Sequence, residues 1–578
     1  MTAIENGQLA ENSLPDENGQ PGAAGDSRAD TGPVAPTTTP TSRPTVAGSH
    51  YASASRRPHG TGTRGLALSR QSQQFEGRFG RMFRTLPAAF HHPNDLVSLG
   101  KAMVAQHEDA PTPEDQPDDE ENTGISAGYT YLGQFIDHDL TFDPASSLQK
   151  QNDPDGLTDF RTPRFDLDNL YGRGPDDQPY LYADDGVHLL LGRPTTGSAH
   201  DPKTRDLPRN TPNQGQPQRA LIGDPRNDEN VIVSNLQSTF LRFHNRVADR
   251  LTRRHGTLPP FERVQREVRF HYQWMILHDF LPTIIEQDMV LDLLPQLAED
   301  GGREGVTVFI PNLHFFKWKA APYMPIEFSV AAYRFGHSMV RPIYRLNTTL
   351  NKGEFQHSLD GRQFIFDFDA QDASKQAESL AGFRAFPAAW AVDWNLFFAV
   401  DPNPPALGPD RLQRAYKIDT SLVNPLGRLP DTVTSGEHSL AARNLQRGLH
   451  MSLPSGQAVA RAMGLPVIPD DKLRVGKATE ADTATNQRLT DISPAFADNA
   501  PLWYYILAEA QQMFIDNNSP IQLGPVGGRI VGEVFVGLLW GDSYSYLQQH
   551  PGWRPFDEFT RDGKFGIAEL ILQAREAD

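Results

Sequence analysis

Apolar residues recur at helical spacing through most of the chain. In 228–256, "DENVIVSNLQSTFLRFHNRVADRLTRRHG", Val233, Leu236, Phe240, Phe243, Val247 and Leu251 fall close to a period of about 3.6, and Gly256 supplies a stop. The same period predicts helices over 261–285, 326–344 and 439–452. Period-two runs are short and isolated: "VTVFIPN" (306–312) and "QFIFDFD" (363–369). The fold class this predicts is mainly α. Residues 1–65 break the pattern, because Gly, Pro, Ser, Thr and Asp leave almost nothing to bury; they are expected to be a disordered segment ahead of one large domain over 66–578. A second polar stretch, 107–124, carries eight carboxylates and reads as a solvated loop.

One predicted helix does not fit the amphipathic scheme. In "GYTYLGQFIDHDLTFDP" (128–144) an apolar run encloses Gln134, Asp137, His138 and Asp139. A buried ionisable group needs a partner, and three in succession need three. At about 100° per residue, Gln134, Asp137 and His138 share one face and Asp139 points away, so the triplet cannot close on a single ion. Two separate jobs are implied; the same residues also fit a half-buried helix with a paired histidine. Three further groups stand out: Arg226 and Glu229 in "GDPRNDENVIV", His337 in "AAYRFGHSMVRP", and Asn444 with Arg447 in "RNLQRG". Taken singly, each also fits a plain structural role, as an i,i+3 ion pair, a satisfied core histidine and a capped helix face.

Composition narrows the classes. The formal net charge is −18, from 54 basic and 72 acidic residues, which disfavours a nucleic-acid partner. There are no cysteines, hence no disulfide, thiolate metal site or cysteine nucleophile. No apolar run approaches the roughly 20 residues of a membrane span. The N-terminus shows no basic and apolar leader pattern, so the default expectation is cytoplasmic, with export by another route left open.

In order along the chain, these groups resemble the animal-type haem peroxidases of the peroxidase–cyclooxygenase superfamily. "GQFIDHD" resembles the distal helix, "RNDE…LRFHNR" the arginine element, "YRFGH" the proximal helix, and "RNLQR" the segment that follows; 527–547 resembles the last helix. The resemblance implies a helical domain with haem b between distal and proximal helices. It implies His138, Arg226 and Gln134 as catalytic residues and His337 as the iron ligand. It gives Asn444 as the acceptor of the His337 Nδ1–H, and Arg334 and Arg447 as partners of the haem propionates. Asp137 and Glu229 match positions that form ester links to haem, while Asn230 stands where a third, sulfonium link forms in some members, so two links at most are expected and chloride oxidation is disfavoured. Asp139, Thr162, Arg164 (through its carbonyl), Asp166 and Asp168 match a Ca²⁺ site. The implied activity is reduction of hydrogen peroxide through an oxyferryl intermediate, with small electron donors, bromide, iodide or thiocyanate among them, oxidised in turn.

Two rivals share the fold or the cofactor. A haem-dependent fatty-acid dioxygenase would carry a tyrosine three residues before the proximal histidine, where this chain has Arg334; Tyr333 is expected to face elsewhere. A haem carrier with little turnover would need only His337. A hydrolase built on Ser543 in "GDSYS" lacks a His/Asp framework. Oligomeric state and the identity of the donor are not legible.

Overall fold

The computed structural model describes residues 77–577 apart from 106–118, 143–157, 160, 213–217, 300–307, 320, 351–361, 368–377, 432–433, 435, 484 and 518–520. The N-terminal segment 1–65 lies outside the described residues. Eight helices frame the interior: α1 (Pro93–Ala102), α2 (Gly128–Leu140), α3 (Val231–His255), α4 (Phe261–Met275), α5 (Leu440–His450), α6 (Leu502–Asn517), α7 (Pro525–Gly541) and α8 (Ile567–Arg575). Strands are short and pair in twos and threes. The mainly helical expectation holds.

The long helix α3 starts and stops as its sequence predicts. The Asn230 side chain accepts from the Val233 N–H at 2.9 Å, and Gly256 ends the helix at φ 75°, the left-handed cap that glycine adopts at little cost. Its apolar stripe packs on α2, α4 and α8. The Phe135 and Phe240 rings stack at 4.3 Å and lock α2 to α3. Close approach matters at two glycines. A Cβ on Gly128 would lie 2.5 Å from the Phe398 ring, and one on Gly100 would lie 2.9 Å from the Ala442 backbone, so the start of α2 and the α1–α5 crossing both need glycine.

Three expectations change. The helix expected over 326–344 is instead a wide turn at Glu327–Ala331, a tight 3₁₀ segment over Ala332–His337 and then a strand at Ile343–Arg345. The Glu327 carboxylate is buried and accepts the N–H groups of Met82 and Phe83 at 2.9 and 3.0 Å, which anchors the start of this segment. Residues 308–312 form no strand, the rest of that run lying outside the described residues, and the 363–369 run contributes a strand only at Arg362–Phe364. The solvated-loop reading fails at its C-terminal end. Glu121–Ser126 is a strand pairing with Arg414–Tyr416, and Glu121 is buried because Arg341 and Arg411 hold its carboxylate at 2.6 and 2.7 Å. No described helix is long and apolar enough to cross a membrane.

Candidate active site

A cavity of about 400 Å³ lies between α2 and the 3₁₀ segment. Gln134, Asp137 and His138 line it from α2, Glu229 and Asn230 from the start of α3, and Tyr333, Arg334 and His337 from the 3₁₀ segment. The shared face derived from the helical period is therefore real, and Asp139 does turn away from it.

His138 is held by its Nδ1, 2.6 Å from Asn227 Oδ1, and Asn227 in turn donates to Gln237 at 2.8 Å. An amide oxygen can only accept, so Nδ1 carries the proton and Nε2 is a bare acceptor. Burial pushes the imidazole down to about 3, and the Arg226 charge adds to this, so the ring is neutral at physiological pH. Its Nε2 lies 4.0 Å from Glu229 Oε1. Gln134 links Glu229 to Asn230, donating to the carboxylate and accepting from Asn230 Nδ2 at 3.2 Å. Burial raises Glu229 to about 7 and raises Asp137 above the usual carboxylate range, with Arg226 pulling both back.

Arg226 itself does not line the cavity. Its guanidinium is bound by Asp224 at 2.8 Å and by the carbonyls of Thr141 and His138 at 2.6 and 3.2 Å, and it sits 4.7 Å over the Phe142 ring. Its positive field reaches the cavity groups; its N–H groups point into this network. Asp224 is shared. It also takes Arg161 Nε at 3.0 Å, and against the cost of burial the two arginines hold its carboxyl well below the usual range.

Opposite α2, burial pushes His337 down to about 3, with the Arg334 charge adding to it. Asn444 contacts it at 2.7 Å, as the resemblance implies, yet with its ends exchanged. The amide nitrogen faces His337 Nδ1, because the Asn444 oxygen accepts from Arg334 at 3.0 Å. Arg334 is partly buried, forms no ion pair among the described residues, and is pushed down to about 10 by desolvation, with nearby Arg447 and Arg443 adding to the effect and Asp137 opposing it. Arg447 is half-buried beside it and does not line the cavity. Three guanidinium groups converging where carboxylates are scarce is a donor set suited to anionic groups.

Asp139 joins a different cluster. One carboxylate oxygen from each of Asp139, Asp166 and Asp168 lies within 4.8 Å of the others. Neither Asp139 oxygen meets a hydrogen-bond donor at bonding geometry among the described residues, and Asp168 Oδ1 meets only the charge of Arg161 at 3.3 Å. Burial raises Asp139 far above the usual range, and Asp166 and Asp168 push it further. Leu167 stands between the two loop carboxylates at φ 60°, a left-handed conformation uncommon for a branched side chain. Thr162 donates to Asp166 at 2.7 Å, and Arg164 lies on the same loop with its Nε 3.7 Å from Asp542.

One residue of the site carries no motif signal of its own: Asn227, which holds His138 from outside the cavity lining, reads as an ordinary polar residue at a helix start. Tyr333 lines the cavity with its hydroxyl unpartnered among the described residues, against the expectation that it faces elsewhere. That expectation assumed 3.6 residues per turn, and the tighter 3₁₀ segment rotates the ring inward.

Residues 148–400 match the family model described as animal haem peroxidase, a stretch that holds Arg226, Glu229 and His337; His138 and Asn444 flank it. The chain is 24% identical to peroxidasin of Drosophila melanogaster over 369 residues, 61% of this chain and 21% of that protein. It is also 24% identical to thyroid peroxidase of Mus musculus over 428 residues, 71% of this chain and 40% of that one. The chain thus spans well under half the length of these curated relatives. Its fold is similar to that of Peroxidase A from Dictyostelium discoideum, with a TM-score of 0.56, 17% identity, and coverage of 89% of this chain and 96% of the other. With two neutral histidines facing one cavity, one of them inside the matched segment, the chain is similar over 148–400 to the animal haem peroxidase family, whose members bind haem.

Proposed function

We propose that this chain is a peroxidase that reduces hydrogen peroxide with electrons from small donors. The observation that carries the reading is the pair of neutral imidazoles on opposite sides of one cavity, His138 tied through Nδ1 to Asn227 and His337 to Asn444.

The residues fit a haem. His337 would hold its iron through Nε2, and Arg334, which meets no carboxylate in an ion pair among the described residues, would together with Arg447 take its propionates. A propionate accepting from Arg334 would release the Asn444 oxygen to accept the His337 Nδ1–H. Asp137 and Glu229, both lining the cavity, would form its ester links. When bound, the haem supplies the iron centre that exchanges electrons with peroxide and donor.

The chain's own part is proton handling. His138 Nε2 accepts the proton of the incoming peroxide oxygen and returns it to the departing oxygen, which leaves as water. Gln134 holds the peroxide by a hydrogen bond. Arg226 stabilises the negative charge that grows as the O–O bond breaks, acting through its field from beside the cavity. Asp139, Asp166 and Asp168, with Thr162 and Arg164, would bind Ca²⁺ and fix the C-terminal end of α2, because one buried and two partly buried carboxylates facing one another favour a cation.

Stopped-flow absorbance of the haem-loaded protein with hydrogen peroxide tests the reading. The Soret band should fall without shifting and return when an electron donor follows. A well-loaded protein with no response to peroxide would sink it. Tyr333 favours one second reading, an oxygenase that uses a tyrosyl radical, because its hydroxyl stands in the cavity. Fatty-acid-dependent oxygen uptake that disappears in Tyr333→Phe would support that alternative.

A further inference from the structure

A second cavity, of about 1160 Å³, lies on the other side of the first turn of α2. Tyr129 is the one residue, among those described, that lines both cavities. Its hydroxyl donates to Asp279 at 2.5 Å, and the other Asp279 oxygen accepts the Ile567 N–H at 2.7 Å. Its ring meets Phe398 edge-on at 5.5 Å. Deeper in the second cavity, the His278 and Trp274 rings stack at 3.8 Å. The His278 Nε2 is buried without a hydrogen-bond partner among the described residues, a polar atom that a phenolic or amino hydrogen could satisfy. Four basic and four acidic side chains line this cavity, so it offers aromatic surface with no net charge to select an ion.

We propose that the second cavity is an oxidation site for neutral aromatic donors, phenols and aryl amines, and that Tyr129 relays their electrons to the first cavity. The inference rests on the peroxidase reading, in which hydrogen peroxide is the terminal acceptor. Tyr129 gives one electron toward the first cavity and its hydroxyl proton to Asp279, leaving a neutral tyrosyl radical. A phenol in the second cavity then gives one electron to that radical, the proton returns from Asp279 to the Tyr129 oxygen, and the phenol releases its own proton to water. Two such turns deliver the two electrons, and two protons, that convert one hydrogen peroxide to two waters. Burial raises Asp279 above the usual carboxylate range, which suits it to hold that proton. The phenol need never reach the haem edge.

A tie between α2 and α8 would show the same hydrogen bond, so the test reads the radical. Haem-loaded protein is mixed with peroxide without donor, freeze-quenched and examined by electron paramagnetic resonance, with the Soret change recorded on the same mixing. The wild-type protein should give a tyrosyl signal. Per unit of Soret change, the signal should vanish in Tyr129→Phe and fall at least fivefold in Asp279→Asn, which keeps an acceptor oxygen. With 2,6-dimethoxyphenol as donor, kcat/KM should fall at least tenfold in Tyr129→Phe. Calorimetric binding of that phenol without peroxide should weaken at least fivefold in Trp274→Ala. A Soret response with no tyrosyl signal, or with a signal and phenol rate unchanged in Tyr129→Phe, overturns the relay and leaves the peroxidase reading standing. No Soret response at all removes both.

Discussion

Asp137 and Asp139 stand two residues apart on one helix, the first partly and the second fully buried, and live in opposite electrostatic worlds. Asp137 looks into a cavity where Arg226 and Arg334 offset part of the cost of its burial. Asp139 looks at two more carboxylates, with the Arg161 charge opposing them, and its oxygens meet no hydrogen-bond donor at bonding geometry among the described residues. A helix turning about 100° per residue can thus present neutral acid–base chemistry on one side and a cation-hungry cluster on the other. Position in sequence says little about a carboxylate's role; the charge facing it decides.

The comparison breaks most sharply at His138. In His138→Ala, the reaction with peroxide should slow by about 10³-fold, within the range typical of a lost general acid–base. Stopped-flow would read this, and metal content should stay unchanged; an unaffected rate would remove His138 from the mechanism.

Glu229 sharpens the cavity side. Its folded value of about 7 lies above the ordinary 4.5, so its favourable contribution is complete below pH 4.5 and is lost as pH rises through 7. Glu229→Gln should therefore gain stability over the wild type between pH 5 and 8, by clearly less than the full shift implies, because water screens a side chain that is 35% exposed. Denaturant titration across that range checks it. Equal curves would mean that Glu229 does not ionise there, as an ester link would require, and acid–acetone would then fail to extract the haem.

On the other side, Asp139→Ala should abolish a tightly held calcium equivalent in metal analysis. Calcium should stabilise the wild type by roughly 2–3 kcal/mol at about a hundredfold excess over its dissociation constant, and this variant not at all. Smallest of the four, Arg161→Ala should change calcium affinity by about fivefold, roughly 1 kcal/mol, since Arg161 competes for Asp168. Chelator titration would detect either sign, and no change would separate the two clusters.

Much of this could be read from the chain because helical period is a strong signal. Gln134, Asp137 and His138 sit on one face as the spacing demands, and Val233 through Leu251 bury as a stripe. What the sequence hid is geometry without a period. An apolar run cannot distinguish a 3.6-residue turn from the wide and tight turns at Glu327–His337, which is why Tyr333 faces the cavity unexpectedly. Asn227 was invisible because a single amide holding one imidazole nitrogen leaves no spacing signature. The inverted Asn444 amide follows from competition: its one oxygen accepts from Arg334, which leaves the amide nitrogen facing His337. Glu121 shows the same limit, its acidic surroundings masking the two arginines, far along the chain, that bury it.

Asp224 grips Arg161 and Arg226 at once, and Arg161 also touches Asp168. A cation that neutralises Asp168 would loosen its hold on Arg161 and let Arg161 draw harder on Asp224, freeing Arg226. Cation binding and anion binding beside His138 then become cooperative, and the cooperativity must be mutual. If calcium tightens cyanide binding by some factor, cyanide must tighten calcium by the same factor, so an enzyme engaged with its ligand would hold its structural ion more firmly than one at rest.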